Sequence, residues 1–478
     1  MKKTSGQEGL LLIQVLVFGS IAILFLVGLV SWVGLSIRAG RITIQRELAL
    51  QIAEAGIDYY RWHLAHAASD YQDGTGGAGP YTHNFSDKDG NAIGQFILEI
   101  TPPPIGSTLV TITSTGKINA NANLQRKIRT QLAIPSIAKF AVVANADMRF
   151  GEGTEVFGPI HSNGGIRFDG LAHNLVTSSQ TSYNDPDFDD CNNNSSFGVH
   201  TCANPDDPSP PAAVPSRPDV FEAGRQFPVP AVDFTGLTAD LAQLKSDAQS
   251  NGKYFAASGG MGYRIVLRTD DTFDLYRINS LLSPPGSCSS SQSGWGTWSI
   301  NTGGSSQTFL ANHPFPVNGI IFVEDHLWIQ GQINTARLTI ASARFPDNPS
   351  TRTNITVNND LTYTNYDGRD VIGLIAQNNF NVGLKSEDDL RIDAALIAQN
   401  GRAGRHSYSS SCGSVYIRST LTLYGMIGTN QRYGFAYTNG TGYTTRNINY
   451  DANLLYGPPP SFPKTSDQYT TVSWEELK

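Results

Sequence analysis

GLIAQNNFNVG (residues 373–383) and ALIAQNGRAG (395–404) carry one pattern twice: an apolar run, a polar turn with asparagine, a second short strand, then glycine. The shared LIAQN begins at 374 and again at 396, 22 residues on, and GMIGTNQRYG (425–434) follows about 30 residues later. Working outward, FAVVANADMRFG (140–151), GPIHSNGGIRFDG (158–170) and GIIFVEDHLWIQG (319–331) share the form. A period of about 20–30 residues with Asn and Gly at the turns predicts stacked coils of a parallel β-solenoid. Asn tolerates positive φ and hydrogen-bonds its own backbone, and stacked Asn side chains can ladder from coil to coil. The irregular spacing leaves a sandwich of unrelated hairpins as the competing architecture.

The totals suit a chain of short strands. At 478 residues there is room for two to four domains and at least one sizeable core. Only 16% of residues are charged and 47 are glycine, which favours strands and tight turns over helical bundles. The net charge of -7 is small for this length, and no basic stripe exists to neutralise phosphates, which argues against nucleic acid as a partner.

Ahead of the repeats lies a helix of two characters. No side chain from Leu10 to Ile37 is charged, and a helix of that length exceeds the ~30 Å hydrocarbon core of a bilayer. The run is longer than the apolar region of a secretory signal peptide and no small-x-small cleavage site follows it. Lys2 and Lys3 on one side, with Arg38, Arg41 and Arg46 on the other, leave orientation undecided by positive charge. The cysteines and the turn-rich body place the C-terminal side outside. SIRAGRITIQRELALQIAEAGIDYYRWHLAHAASDY (36–71) then carries Ile37, Ile44, Leu48, Ile52, Ala55, Tyr59 and Trp62 at helical spacings, one apolar stripe that continues the helix. A Gly-rich break at 74–80 ends it. Residues 85–134 read as a small β unit of alternating strands, including GQFILEI (94–100) and STLVTITSTGK (107–117).

These features resemble the N-terminal region of type IV pilin-like proteins, over roughly the first 70 residues. MKKTSGQEG is similar to a prepilin leader, with Gly9 before the cut and Leu10 the new N-terminus. LALQIAEAGIDYYRWHL (48–64) resembles the Ala-Glu-Ala segment of PilX-type pilus-assembly proteins, at Ala53, Glu54 and Ala55. The resemblance implies a prepilin peptidase that cuts after Gly9 and methylates Leu10. It also implies a single-pass protein of the cytoplasmic membrane with an exported ectodomain, partnered by other pilin-like subunits and reaching the cell surface or a pilus. Two positions depart from the family: Leu10 stands where Phe is usual, and Gln14 where Glu is usual. In the family that Glu is thought to neutralise the N-terminal ammonium of a neighbouring subunit. A buried ammonium without a counter-ion is costly, and Gln offers only a neutral carbonyl. The departure points to a low-copy subunit at a tip or initiating position rather than a bulk pilin.

Between the repeats, residues 176–316 read as an insertion: a Pro- and Asp-rich loop, a short helix over 238–250, and a second loop, PPGSCSSSQSGWGTWS (284–299). Thr238 is the expected N-cap, Leu237, Leu241, Leu244 and Ala248 the apolar face, and Asn251-Gly252 the stop. Trp295 and Trp298 on the loop are either sugar- or partner-contacting or buried. The cysteines, Cys191, Cys202, Cys288 and Cys412, include no CxxC pair, so zinc is not expected. They fit two disulfides. Of the three connectivities, Cys191–Cys202 with Cys288–Cys412 is the most economical, and free buried thiols are the alternative. Asp185, Asp187 and Asp189 alternate as in calcium loops, yet Asp190 and Ser196 stand where an EF-hand needs Gly and Glu. HExxH, GxSxG and GxxxxGK[ST] are all missing. Glu387, Asp388, Asp389 and Asp393 could line a sugar-cleaving groove, though adjacent acids in a turn are more often plain surface.

The expectation is therefore a mainly β protein. It has a leader (1–9), a long N-terminal transmembrane and amphipathic α-helix (10–72, spanning at 10–37) and a small β-sheet unit (85–134). A β-solenoid, β-helix-like ectodomain follows in two parts (139–175 and 317–435) around the insertion, with a tail (436–478) wrapping the last coil. The expected function is non-catalytic and structural, in a type IV pilus or related secretion filament, with an adhesive surface for a glycan or a cell ligand and no cofactor. The competing class is a membrane-anchored surface β-helix protein that binds or cleaves polysaccharide.

Overall fold

The computed structural model describes residues 8–104, 106–187, 195–234, 237–465 and 468–477. Two compact units divide the chain: Met1–Pro102 with Val110–Leu132 and Thr471–Lys478, and Pro103–Leu109 with Ala133–Thr470. Strand dominates outside the long N-terminal helix.

In the first unit, helix α1 runs unbroken from Glu8 to His66, close to 90 Å at about 1.5 Å per residue. It stops six residues before the sequence-based boundary at 72. The cause is local: the Asp70 carboxylate accepts the Gln72 and Gly74 amides at 2.8 and 2.7 Å, and its backbone carbonyl accepts the Tyr60 hydroxyl at 3.0 Å. These bonds fold the chain back before another helical turn can form.

Strands β1 (Tyr81–Ser86), β2 (Ala92–Thr101), β3 (Val110–Ile118) and β4 (Asn121–Ala133) pair antiparallel in sequence order. The strand Thr470–Leu477 adds a fifth member beside β4. There the Thr130 hydroxyl donates to the Ser473 carbonyl at 2.7 Å and Arg129 pairs with Glu475 at 3.2 Å. The sequence alone placed these last residues in a tail around the final coil. TTVSWEEL is too polar on both sides to declare its partner.

The helix meets the sheet through Ala49, Ile52, Ala53, Ile57, Tyr60 and Leu64, all buried. This stripe is rotated from the expected one: Ile52 is common to both, whereas Ile44 and Trp62 are 69% and 60% exposed. Small residues decide the rotation. A Cβ on Gly116 would lie 2.1 Å from the Ala49 carbonyl oxygen, and one on Gly56 2.3 Å from the Ser114 hydroxyl. Close approach is open only to the Ala/Gly side of the helix, and the bulkier residues are left outside.

The second unit is built from parallel ladders. In spatial order the first runs through Lys253–Phe255, Ile320–Val323, Arg337–Ser342, Val371–Ala376, residues 395–398 and residues 427–429. It continues through Val142–Ala144, Ile160–Ser162, Val176–Ser178 and Arg225–Gln226. The two LIAQN copies are adjacent rungs in register, Leu374 opposite Leu396. A second ladder holds residues 327–328, Ile355–Thr356, Phe380–Val382 and Ala403–Arg405. A third holds residues 331–333, 361–363, 392, 420–425, 445–450, 154–157 and 171–172. Side chains from all three fill one interior cluster.

The order of rungs differs from the order in sequence. The repeats of 317–435 come first, and the last of them abuts the first repeat of the chain, Ile427 opposite Val142. The region read as an insertion supplies rungs at both ends of the stack, and Gly442–Tyr450, read as tail, is a rung at the middle. Asparagines bridge the joint as expected: Asn145 donates to Asn430 and Asn163 to Asn145, each at 2.8 Å.

First-ladder strands are apolar on both faces. Ile321, Val323, Ile340 and Leu374 point into the interior cluster, while Ile320, Phe322, Ala341 and Ile375 point outward. Such strands read as unbroken apolar runs and need cover on both sides. Outer cover comes from α2 (Leu237–Asn251) through Leu241, Leu244 and Ala248, and from Leu454 and Phe462 of the tail. The predicted N-cap and first face residue, Thr238 and Leu237, have side chains outside the described residues.

Gly116→Ala forces a methyl group against backbone rather than a flexible side chain. The substitution is expected to destabilise the first unit by about 1–3 kcal/mol. Gly40→Ala, whose Cβ meets nothing within 4 Å, serves as the control. Thermal unfolding of the two variants checks this, and equal melting temperatures would contradict the close helix–sheet fit.

Candidate functional site

Two regions carry candidate function, one in each unit. The first is the free half of α1. Its apolar side chains from Leu11 to Trp32 are exposed, and the helix is long and apolar enough to cross a membrane, with a mean hydropathy of 2.7 in its best window. Ser20 donates to the Leu16 carbonyl at 2.7 Å, so its hydroxyl is satisfied within the helix. Gln14 is exposed amid Leu11, Leu12, Ile13 and Val15 and takes no partner from the described chain. Gly9 and Leu10 fall at the start of α1, and their side chains lie outside the described residues. In the Ala-Glu-Ala segment, Ala53 is buried against β3, whereas Glu54 faces outward with no hydrogen bond or ion pair among the described residues.

The second region is a cleft of about 1210 Å³ in the second unit. Its origin is topological. Where the last repeat meets the first, the first and third ladders continue across the joint. The second does not: Gly434 bridges only to Gly404, while Met148–Phe150, Ile166–Phe168 and Val199–His200 form a separate sheet. The gap leaves a cleft whose floor is formed by the buried interior residues Leu421, Leu423, Ile427 and Ile448.

Arginines rim this floor. Arg432 and Arg149 both reach Asp187, the latter at 3.5 Å. Arg402 donates to the Tyr437 hydroxyl at 2.7 Å, and its Nη2 is buried without a partner. Arg446 donates to the carbonyls of Tyr443 and Thr444 and to the Thr154 hydroxyl, at 2.8–3.0 Å. Neither Arg402 nor Arg446 has a carboxylate partner among the described residues. His406 is 1% exposed and neither ring nitrogen has a hydrogen-bond partner. Burial, with the charges of Arg402 and Arg405 adding to it, lowers its pKa to about 3. The ring is therefore neutral near pH 7. The hexapeptide GRAGRH (401–406) places Arg402 and His406 close together in the sequence, whereas Arg149, Arg432 and Arg446 lie far from it or in other repeats.

The loop at 284–299 lies beside the cleft and is held by the disulfide Cys288–Cys412, which links positions 124 residues apart. Cys202 is also disulfide-bonded. Cys191, its expected partner, lies outside the described residues. Trp295 packs with Leu384, Tyr408 and Cys412. The Trp298 carbonyl accepts the Trp328 indole at 3.1 Å and the Asn358 amide at 2.8 Å. Both tryptophans are partly buried and serve to seat the loop.

Of the acids marked in the sequence, Asp185, Asp187 and Asp393 are engaged by basic side chains of the chain itself. Asp185 sits 3.2 Å from His200 and 3.9 Å from Arg167, and Asp187 pairs with Arg149 and Arg432. Asp189 lies outside the described residues. Burial raises the pKa of Asp393, which takes the Tyr366 hydroxyl at 2.6 Å and Arg391 at 2.9 Å. Asp388 and Asp389 are exposed and Asp393 is fully buried, so the four acids do not form one open carboxylate pair.

No family model matches the chain, and no curated protein does. Among solved structures, the competence-associated pilin ComZ from Thermus thermophilus is similar. The match covers 91% of this chain and 97% of that one, at 13% identity and a TM-score of 0.28. Likeness at that level carries no argument, and the functional reading rests on the residues above.

Two expectations follow from the cleft and its surroundings. Removing the long-range staple with Cys288→Ser and Cys412→Ser should cost about 2–4 kcal/mol, read by thermal melting, with faster amide exchange across 284–299. His406 is held below its ordinary 6.5, so the unfolded chain binds a proton that the folded chain refuses. That contribution is fully present above pH 6.5 and is lost as pH falls towards 3. His406→Phe should therefore lose less melting temperature than the parent between pH 6.5 and 4; identical slopes would remove His406 from this account.

Proposed function

We propose that the chain is a non-catalytic structural subunit of a type IV pilus or related filament, present in few copies and carrying the parallel stack as its ectodomain. One observation carries the reading. A single helix of 59 residues has a first half that is apolar and free of intrachain contacts, and a second half seated on an antiparallel sheet. Such a helix can sit in a bilayer before assembly and against like helices after it. Gly19, Gly28 and Gly34 lie in the free half with nothing within 4 Å of a would-be Cβ. Glycine weakens a helix by about 0.5–1 kcal/mol relative to alanine, and small residues favour close helix–helix approach in an apolar medium.

The same reading gives Gly9–Leu10 the role of a prepilin peptidase cut site. Gln14 would then lie near the new N-terminus with a neutral amide, which suits a subunit that does not need to neutralise a neighbour's ammonium along a bulk polymer. Support for a non-catalytic role comes from the burial of Asp393 away from Asp388 and Asp389. The parallel stack would stand as a solenoid displayed beyond the membrane, with its cleft as the place for an adhesive contact.

The mature N-terminus tests the proposal. Mass spectrometry of surface material should find a chain beginning at N-methylated Leu10, and Gly9→Ala should retain the leader and be excluded from filaments. An intact Met1 on surface protein, or unaltered mobility and filaments in Gly9→Ala, would overturn it.

A further inference from the structure

We propose that the cleft at the joint of the stack binds an acidic saccharide, with Arg402 receiving its carboxylate and His406 a neighbouring hydroxyl. This names a ligand class for the surface and does not depend on assembly of the chain into a filament.

Four features select that ligand. The cleft lining carries four arginines, Arg149, Arg402, Arg432 and Arg446, against two carboxylates, Glu152 and Asp187. Asp187 is already shared by Arg149 and Arg432, and Arg446 gives both terminal nitrogens to the carbonyls of Tyr443, Thr444 and Glu152 and to the Thr154 hydroxyl. Arg402, with its unpartnered Nη2, is left to hold an anion. A guanidinium offers a planar fork that matches a carboxylate with two parallel hydrogen bonds.

The second feature is His406. A buried imidazole with both nitrogens unpartnered, beside a buried unpartnered Arg402 Nη2, is a polar surface prepared for something other than the chain. Neutral imidazole donates at one nitrogen and accepts at the other. A sugar hydroxyl also does both, whereas a fully ionised phosphate only accepts.

The third is aromatic. Tyr433, Phe435 and Tyr437 line the cleft, and Tyr433 packs against Phe150 with centroids 5.1 Å apart and ring planes tilted by 39°. Its hydroxyl has no partner among the described residues. Flat aromatic faces with a polar tip suit a ring that is apolar on one side and hydroxylated at its rim.

The fourth is size. At about 1210 Å³ the cleft exceeds the ~300–1,000 Å³ of ordinary small-molecule pockets. A lone ion would leave most of it empty, and a short chain of sugar rings would not.

Titration calorimetry on the full-length chain in detergent micelles tests this. The probes are trimers of galacturonate, glucuronate and mannuronate, the neutral galactose trimer, and inorganic phosphate. At least one uronate trimer should bind, with the neutral trimer and phosphate at least tenfold weaker. Arg402→Gln should weaken uronate binding at least tenfold. Tyr433→Phe should weaken it several-fold without changing the melting temperature of the sugar-free protein, and it decides the matter if Arg402→Gln unfolds. Absence of binding by all three uronates, parity of the neutral trimer or phosphate with them, or full affinity in the folded variants would each overturn the proposal.

Discussion

Pairing of residues 427–429 with Val142–Ala144 makes the repeats one body. Together with the third-ladder pairing of residues 446–449 with Thr154–Phe157, it joins what would otherwise be two separate short stacks, each with an open parallel edge and an uncapped interior. With it, Asn430, Asn145 and Asn163 form a chain of amides across the seam, and side chains from both halves share one apolar interior. The same pairing fixes the course of the intervening chain. After Arg225–Gln226 it must return to the opposite end of the stack, where Lys253–Phe255 joins Ile320–Val323. Helix α2 lies on that return and covers first-ladder strands that are apolar outside as well as inside. Order, connection and cover are thus one solution.

The seam is also where regularity fails. The first and third ladders pass through it and the second does not, so a cleft opens over the interior beneath a rim of arginines. A continuous three-sided stack would have left no such opening. The cleft is thereby tied to the architecture: it arises from joining two runs of repeats whose second strands do not match.

Repeats and helix were readable in the sequence because each depends on local periodicity. LIAQN at 374 and 396 appears in space as directly opposed rungs, and the uncharged run after Leu10 appears as a continuous exposed helix. What could not be read depends on partners distant in sequence. The buried stripe of α1 follows Gly56, Gly94 and Gly116, whose lack of side chains matters only when helix and sheet are brought together. Ile44 and Trp62 satisfied the helical period equally well and lie outside. TTVSWEEL has no pattern that names β4 as its neighbour. In the candidate cleft, Arg402 and His406 come from one repeat, Arg446 from another and Arg149 from the opposite end of the second unit's sequence, so no spacing rule could have grouped them all.

The permuted order of rungs has a consequence in time. Val142–Ala144 is made long before residues 427–429, its partner on one side, 285 positions later in the chain. Until then an apolar parallel edge stands open, and such an edge templates wrong pairings. Contacts of this sequence separation also form slowly. The second unit cannot close repeat by repeat as it emerges. Its earliest coils must wait for nearly the whole chain to arrive.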